Sequence, residues 1–548
     1  MTRWIGPALS APVTFWLLLS FAAPMAAIFL LSLHEYPDPF GPLITAPSLA
    51  QYIGIVTDSF YFRVVGETIA LGLGVTLLTA LLGYPLAYWL ARIPVKYRAA
   101  AFAIILIPLL TNVVVRSLGI ILLLAPDGLI NSVTGLVGIP KAANMLFNHG
   151  AVAVALAQVF LPFMVLALYD SMQNTSPRVY EAAESLGASP AMRFLTVDLP
   201  LSLPGLRSGL VIVFLMASTA YVSATLLGGK KVWTTGMLVM QEAIKNLNAP
   251  LASALAVIMT ITSLAFAALC GIGMKRLMPW LNERASNPVF LPNIVVRLAD
   301  TVGFVIARLL LVASLGLLLL PLVLVCIQSF NDVPQATAAG FKGFTLKWYY
   351  AVLFNGAYAD AFWVSVQLAT VSVLVAIALA LPAAFALARF PFKGRSVLMT
   401  FWMLPLSLPH VAIGVGMLKL LQIYLIVPPF AITLLTTSVM QLDRSQEEAA
   451  ASLGADPFRM FFLITLPGLA PGLFAASLVG FLLSFGEVTV TSFLTTARLT
   501  TLPVRIYAES TFSLEPTAHA ISAVLIVFTV MALILVGRLV RLDKLYAR

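Results

Sequence analysis

The chain has 548 residues, of which 61% are hydrophobic and 10% charged, and its mean hydropathy is +1.00. Soluble domains carry roughly a quarter charged residues, so this composition excludes a string of them and assigns the length to membrane spans of about 20 residues each. The net charge of +10 comes without an aromatic-interleaved basic groove, which excludes nucleic acid as its explanation, and Cys270 and Cys326, both in apolar runs, exclude a disulfide framework.

In chain order, a short segment with Arg3 as its only charge leads into a first predicted span over 12–33. No small-residue cleavage site closes this run, so it reads as an anchor rather than a leader. A loop punctuated by Tyr36-Pro37-Asp38-Pro39 precedes the second span, 64–91, after which come Arg92, Lys96 and Arg98. Spans at 99–124, 151–168, 205–227 and 252–274 complete a first set of six. A charged stretch containing Lys275, Arg276, Glu283, Arg284, Arg297, Asp300 and Arg308 joins the halves, and its 285–308 portion is taken as the connector between domains 1–284 and 309–548. Six more spans are predicted at 309–330, 361–388, 397–418, 423–440, 469–490 and 518–537. The expected fold is an all-α integral membrane protein with about 12 transmembrane helices in two tandem repeats.

The repeat is carried by two polar loops, at about 176–200 and 443–467. The first reads Glu181-Ala182-Ala183, Gly187, Val197-Asp198-Leu199-Pro200; the second, 267 positions later, reads Glu448-Ala449-Ala450, Gly454, Ile464-Thr465-Leu466-Pro467. Ser176-Pro177 and Ser445 supply N-cap chemistry for a helix of about three turns, and Gly187 and Gly454 fit its C′ position. Ser189-Pro190 and Asp456-Pro457 start a second helix that runs into the next apolar segment. Earlier pieces repeat at a different offset: Pro85 corresponds to Pro382 and Pro108 to Pro405, 297 positions on. Thirty residues are therefore missing between Pro405 and Glu448, and the sequence there accommodates two helices joined by a tight turn near 419–422. That arrangement puts an even number of crossings between the loops and both loops on one side. With the loops, the connector and both termini on the cytoplasmic side, that side holds 21 Lys and Arg against 10 opposite, with Arg116 inside a span. Lys230, Lys231 and Lys245 are the exceptions.

No catalytic or metal-binding constellation is present. Gly228-Gly229-Lys230-Lys231 lacks the first glycine and the hydroxyl of a phosphate-binding loop, and His34, His149, His410 and His519 are scattered and read as loop or interfacial side chains. Ionisable residues within spans are better leads, since a charge in hydrocarbon costs roughly 2.5 to 3.5 kcal/mol on insertion scales. Glu487, about two-thirds along the eleventh span, has Ala220 as its counterpart, beside Tyr221; a carboxylate among aromatics and hydroxyls suits a cationic solute. Arg116 either attracts an anion or snorkels outward and pins the helix end, with snorkelling favoured by its place toward the outer half of the third span. Arg63 and Glu67 read as a local helix pair.

The spacing Glu-Ala-Ala, three residues, Gly, nine residues, Ile-any-Leu-Pro resembles the cytoplasmic loop of permease subunits of binding-protein-dependent ABC importers. The second copy matches fully; the first has Val197 in place of Ile. Residues 108–116, 128–131 and 226–229 look like the first permease subunit of spermidine/putrescine importers. Ser329-Phe330-Asn331, Gly343 to Leu346 with Trp348-Tyr349, and Ala388-Arg389-Phe390 with Gly394-Arg395 look like the second. The resemblance implies two fused six-helix type I permease repeats in a bacterial inner membrane, with both termini cytoplasmic. Glu181, Ala182, Ala183, Gly187, Glu448, Ala449, Ala450 and Gly454 would form coupling helices for two cytoplasmic ABC ATPase subunits. ATP and Mg would be bound by those subunits, leaving no cofactor in this chain. A periplasmic or extracellular binding protein would deliver solute to an alternating-access pathway containing Glu487, Tyr221 and Arg116. A polyamine is the implied cargo, with ferric iron, opines and phosphonates carried by related systems. An ion-coupled secondary transporter is the rival class; it needs no twin cytoplasmic helices and favours several mid-membrane ion sites, of which one candidate is found.

Overall fold

The computed structural model describes residues 5–35, 47–136, 138, 145–173, 177–277, 293–335, 340–407, 410–420, 427–496, 499–512 and 515–540. Ser176, the 36–39 turn, most of the connector before 293, the turn at 421–422 and the last eight residues lie outside them. The described chain is helical, with one isolated bridge between Asn331 and Phe344.

In the first half, α1 (Ile5–Leu31) is followed by the short α2 (Ala50–Thr57) and the long α3 (Ser59–Arg92). The predicted third span is broken: α4 (Val95–Leu110) ends at Thr111, and Asn112 caps α5 (Val113–Leu124) by accepting from the Val114 N–H at 2.6 Å. Then come α6 (Leu129–Leu136), α7 (His149–Gln173), the loop helix α8 (Pro177–Ser185) and α9 (Pro190–Ser218). The fifth predicted span is broken too, with α10 (Val222–Gly228) offset from α9 at Thr219-Ala220-Tyr221; α11 (Thr235–Met240) and α12 (Ala249–Leu277) follow.

The second half repeats this order with α13 (Asn293–Gln328), which begins inside the predicted 285–308 connector, α14 (Lys347–Phe354) and α15 (Gly356–Arg389). Next are α16 (Arg395–Ser407) and α17 (His410–Leu420), whose apolar parts are bent by 86°, and α18 (Val427–Gln441). The loop helix α19 (Arg444–Ser452), α20 (Phe458–Phe485), α21 (Thr491–Leu494), α22 (Leu502–Phe512) and α23 (Thr517–Val540) complete it. Among the described residues ten segments, one of them α5 continued into α6 as Val113–Gly135, are long and apolar enough to span a membrane, and the bent pair makes an eleventh when taken as one span. The tenth predicted span survives only as the 15-residue α18. The missing thirty residues correspond to α6, its following loop and the outer turns of α7, which have no described counterpart between α17 and α18.

The duplication extends to individual bonds. Tyr52 donates to Ser32 Oγ at 2.7 Å, and Tyr349 and Ser329, each 297 positions later, make the same contact at 2.7 Å. Thr68 Oγ1 accepts from the Thr235 N–H at 2.9 Å; its counterpart Ser365 accepts from the Leu502 N–H at 2.8 Å. Tyr61 donates to Glu242 and Tyr358 to Glu509, again matched positions. In each half the second span thereby holds the helix that returns after the broken fifth span.

Each half packs its second, fourth and fifth spans together: α3, α7 and α9 in the first, α15, α18 and α20 in the second. The buried stripe of α15, with Ala376, Ala380, Ala383 and Ala384, is small enough for close helix approach, a packing mode expected where lipid supplies no hydrophobic drive between helices. The first spans are exchanged. α1 lies against α15 and α17 of the second half, where the fully buried Trp402 donates to Thr14 at 3.1 Å, and α13 lies against α3 and α5 of the first. Both exchanges use a glycine facing a proline: a Cβ at Gly119 would come within 2.3 Å of the Pro321 carbonyl oxygen, and one at Gly416 within 2.8 Å of Pro24 Cβ.

Both polar loops emerge on one face. α13 packs near Pro190–Arg193 at the first loop and crosses to the side where Ser329 meets Tyr349. α15 then crosses back and ends at Arg389, which contacts the second loop.

Candidate functional site

Each loop helix ends in the same hydrogen-bonded turn. Gly187 and Gly454 have φ of +74° and +82°, a left-handed conformation that glycine adopts without a Cβ penalty. The Ala188 N–H donates to the Ala183 carbonyl at 3.1 Å and the Gly187 N–H to Glu184 at 2.9 Å; Ala455 to Ala450 and Gly454 to Ala451 repeat this at 3.0 Å each. This is the Schellman geometry, which explains why a glycine recurs at that spacing. The second helix is capped by Asp443, whose carboxylate accepts from the Ser445 N–H at 2.9 Å, so Ser445 is the donor and not the predicted cap. Ser189 and Asp456 cap the following helices as expected, accepting from Met192 and from Phe458 and Arg459.

Glu181, Ala182, Gly187, Glu448, Ala449 and Gly454 are exposed, Ala183 is half-buried and Ala450 buried. Leu186 and Leu453, just before the glycines, are 87% and 89% exposed. Each loop therefore offers a short helix with a bare leucine at its end and a carboxylate on its side. Beyond it lies a widened turn, Phe194–Asp198 or Phe461–Thr465, where Leu199 and Leu466 donate five residues back. Pro200 and Pro467 follow directly; the wider turn relieves the clash of a proline ring with the carbonyl four residues earlier.

The arginine ending the second span sits under each loop. Arg92 pairs with the buried Asp198, lies 3.5 Å from the Tyr88 ring centroid and 5.3 Å from that of Tyr180 on α8. Arg389 lies 3.5 Å from Glu447 on α19 and donates to the Leu442 carbonyl at 3.2 Å; Thr465 donates to Glu447 at 2.9 Å. The pairing of these residues leaves no mark in the repeat, because the carboxylates Asp198 and Glu447 do not fall at matching positions.

At the breaks in the spans the halves meet. Asn112 donates to the Gly486 carbonyl at 2.9 Å across the interface. Glu487 lies after the end of α20 rather than inside a continuous helix, and its carboxylate accepts from the N–H groups of Val490 and Thr491 at 3.1 Å each and from the Thr491 hydroxyl at 2.8 Å. Tyr221, 2% exposed, lies within electrostatic range of Glu487 and meets Tyr507 edge-on at 5.9 Å between ring centroids. His410, read as a loop or interfacial residue, instead starts α17 within electrostatic range of Glu487. Tyr221 and His410 thus lie near Glu487, and Tyr507 lies against Tyr221; Tyr507 and His410 carry no periodic or motif signal.

Arg116 is not a snorkelling residue. It is 6% exposed, and Nη1 donates to the Val159 carbonyl of α7 at 3.2 Å, inside the first half. Its Nε has no partner among the described residues. The Arg63–Glu67 pair forms as expected at 4.0 Å, with His149 3.5 Å from the same carboxylate.

Tandem helical halves, exchanged first spans and two exposed loop helices on one face define a membrane-embedded transport subunit. Residues 83–283 and 372–542 match the family described as binding-protein-dependent transport system inner membrane component, and the chain belongs to that family. It is 31% identical over 234 residues to the spermidine/putrescine transport system permease protein PotB of Haemophilus influenzae, covering 42% of this chain and 76% of that protein. PotB of Escherichia coli is 30% identical over 231 residues, 42% of this chain and 81% of the relative. The putrescine transport system permease protein PotI of Escherichia coli is 28% identical over 227 residues, 38% and 80% respectively. Each relative is matched over most of its length by less than half of this chain, in keeping with two permease-sized units. Proteins of this family are multi-pass inner-membrane subunits that work with ATPases and a solute-binding protein, and are not themselves enzymes.

Proposed function

We propose that the chain forms the transmembrane pathway of an ATP-driven importer of a small polyamine such as spermidine or putrescine. Two cytoplasmic ATPase subunits dock on α8 and α19 through Glu181, Ala182, Ala183, Gly187 and Glu448, Ala449, Ala450, Gly454. ATP and Mg are bound by those subunits, and both termini face the cytoplasm. An external binding protein releases solute at the opposite face. Closure of the ATPases moves the two loop helices together and rocks the halves about their shared breaks, a motion that repeated transporters commonly use.

The observation carrying the cargo assignment is Glu487, a carboxylate placed where the halves meet, near Tyr221, which in turn meets Tyr507 edge-on; carboxylate and aromatic rings are the groups that recognise an ammonium. The names of the relatives point to the same class. Uptake of labelled spermidine into proteoliposomes holding the chain with a partner ABC ATPase and a polyamine-binding protein tests the proposal. Glu487→Gln keeps an oxygen for one of the Val490 and Thr491 N–H groups, which use different carboxylate oxygens, and loses the charge; it is expected to slow uptake about tenfold, on the order of one charge-assisted contact. Normal uptake by this variant removes Glu487 from the pathway. An anionic cargo, such as an opine or phosphonate, draws on the buried Arg116; uptake blocked by such anions and indifferent to spermidine would replace the polyamine reading. Uptake driven by an ion gradient without ATP would remove the importer reading altogether.

A further inference from the structure

A groove of about 390 Å³ runs along the outer half of α13. Leu319, Leu322, Val323, Cys326, Ile327 and Phe330 line it, spaced three and four residues apart and so on one face of the helix. Ile526 of α23 and Ile107 of α4 complete the walls, which expose only apolar surface. Leu322 and Ile526 are 4% and 6% exposed, whereas Val323 and Ile327 are 49% each, so the groove opens toward the bilayer. Its origin is the break in the third span. α4 stops at Leu110, Thr111 and Asn112 are extended, and α5 restarts along the other face of α13, where Gly119 meets Pro321. Ile107 lies 12 residues, about 18 Å, into α4 from its loop-side start, which places it at mid-membrane beside Leu319. The other end of the groove lies where α13 emerges. There Phe330 stacks on Phe344 at 5.4 Å and tilts against Tyr349 at 5.3 Å, a cluster of the kind that sits at the headgroup level. The same segment carries Lys347, paired with Asp332, and the exposed Lys342.

We propose that this groove holds one acyl chain of a phospholipid from the leaflet away from the polar loops, methyl end at Ile107 and Leu319, ester end at Phe330, and phosphate beside the Lys342 segment. The length fits: from Leu319 to Phe330 the helix rises about 16 Å, and one leaflet of a hydrocarbon core of about 30 Å is about 15 Å deep. Water does not suit the site, since a bound water needs two to four polar partners. Nor do the walls suit a second helix. Helices approach closely in membranes over small residues, as α15 does with Ala376, Ala380, Ala383 and Ala384, whereas this face is built of branched and aromatic side chains. A flexible chain follows such a surface and keeps the dispersion contacts that a gap would forfeit. The site belongs to both halves: α4 comes from the first and α13 and α23 from the second, and Asn112, just past α4, holds the Gly486 carbonyl across the interface. The lipid chain is thus a component of the joint between them. The proposal requires only that the protein is embedded in a bilayer and is independent of cargo and of ATPase docking.

The test places the full chain in nanodiscs of phosphatidylethanolamine and phosphatidylglycerol. A small fraction of the lipid is phosphatidylglycerol bearing a photoactivatable diazirine, either at the methyl end or near the ester end of one chain. After irradiation, adducts are mapped by peptide mass spectrometry. The methyl-end probe is expected to mark Ile107 and Leu319 and the ester-end probe Ile327 and Phe330. Each should exceed adducts on the lipid-exposed Ile261 and Leu264 of α12 about fivefold, the gain of a chain packed on several sides over one against a bare helix. Val323→Trp, which fills the groove from its exposed rim, should lower groove adducts to the α12 level and leave α12 unchanged, while Val323→Ala should keep the enrichment. Ile327→Trp, from the second rim position, repeats the block if the first variant fails to fold. Equal labelling of groove and α12 means bulk lipid only and overturns the proposal. So do enrichment that survives both tryptophans, a reversed depth pattern, or a groove that stays unlabelled while α12 reacts, the result expected if another polypeptide covers it.

Discussion

Gly454 allows conformation to be separated from collision. A Cβ there meets nothing within 4 Å, so any penalty comes from holding a side chain at φ +82°. That penalty is about 1 to 2 kcal/mol, and larger for a β-branched residue. Gly454→Val is expected to leave the protein in the membrane at normal abundance while abolishing solute-stimulated ATP hydrolysis, because the turn that presents Leu453 opens; unaltered stimulation counts against coupling through that loop. Asp443 gives a pH signature at the other end of the same helix. The Ser445 N–H and hydroxyl hold its carboxyl below the usual carboxylate range. A folded pKa below the unfolded one means that the cap's contribution is present above the unfolded pKa and lost as pH falls through the folded one. Hydrogen exchange at the Ser445 amide should therefore stay slow through mildly acidic pH and quicken only under stronger acid. In Asp443→Asn this acid step should vanish.

At the scale of helices, the facing Gly–Pro contacts are the most exacting joints. Gly416→Leu would drive a side chain into Pro24 and Ile28 of α1, and overpacking of this kind typically costs 1 to 3 kcal/mol. Cysteines placed at Thr14 and Trp402, whose natural side chains touch through the far end of the indole, should be joined by a short bifunctional thiol reagent in the Gly416→Ala background and fail to be joined with Gly416→Leu. The loop helices were legible in sequence because a positive-φ glycine, a capped start and a Leu-Pro restart leave residue-specific marks. The broken spans were not. Around Thr111-Asn112, Thr219 to Tyr221 and Gly486-Glu487 the apolar run continues on both sides, and hydropathy sums over a window without sensing a change of direction. Glu487 was singled out by its charge, yet its work as a cap for the next segment needed coordinates. Arg92 and Arg389 escaped notice for another reason: comparing copies position by position hides a carboxylate that has moved to a different position in the same contact.

For the molecule as a whole, the exchange of α1 and α13 makes each half incomplete alone. Alone, residues 1–284 would leave α3 and α5 uncovered on the side where α13 lies, and residues 285–548 would lack α1 against α15 and α17. Encoding these two pieces as separate chains should yield a complex that co-purifies and imports solute, whereas either piece alone should be degraded or aggregate. Recovery of a stable, monodisperse single piece would contradict the exchanged packing. The boundary expected near 284 from its charge lies outside the described residues, and no pattern in α1 announces that its partners lie in the other half.

That exchange also imposes an order on biogenesis. α1 enters the bilayer more than 300 residues before α15 and α17 are made, a wait of roughly 20 to 60 s at ordinary ribosomal speeds. It is equipped for the delay: Ser10, Thr14 and Ser20 each return a hydroxyl to a carbonyl of their own helix, at 3.0, 2.7 and 2.8 Å. A helix that brings its own partners can lodge among lipids as a solitary tenant until translation delivers the groove it was built to fill.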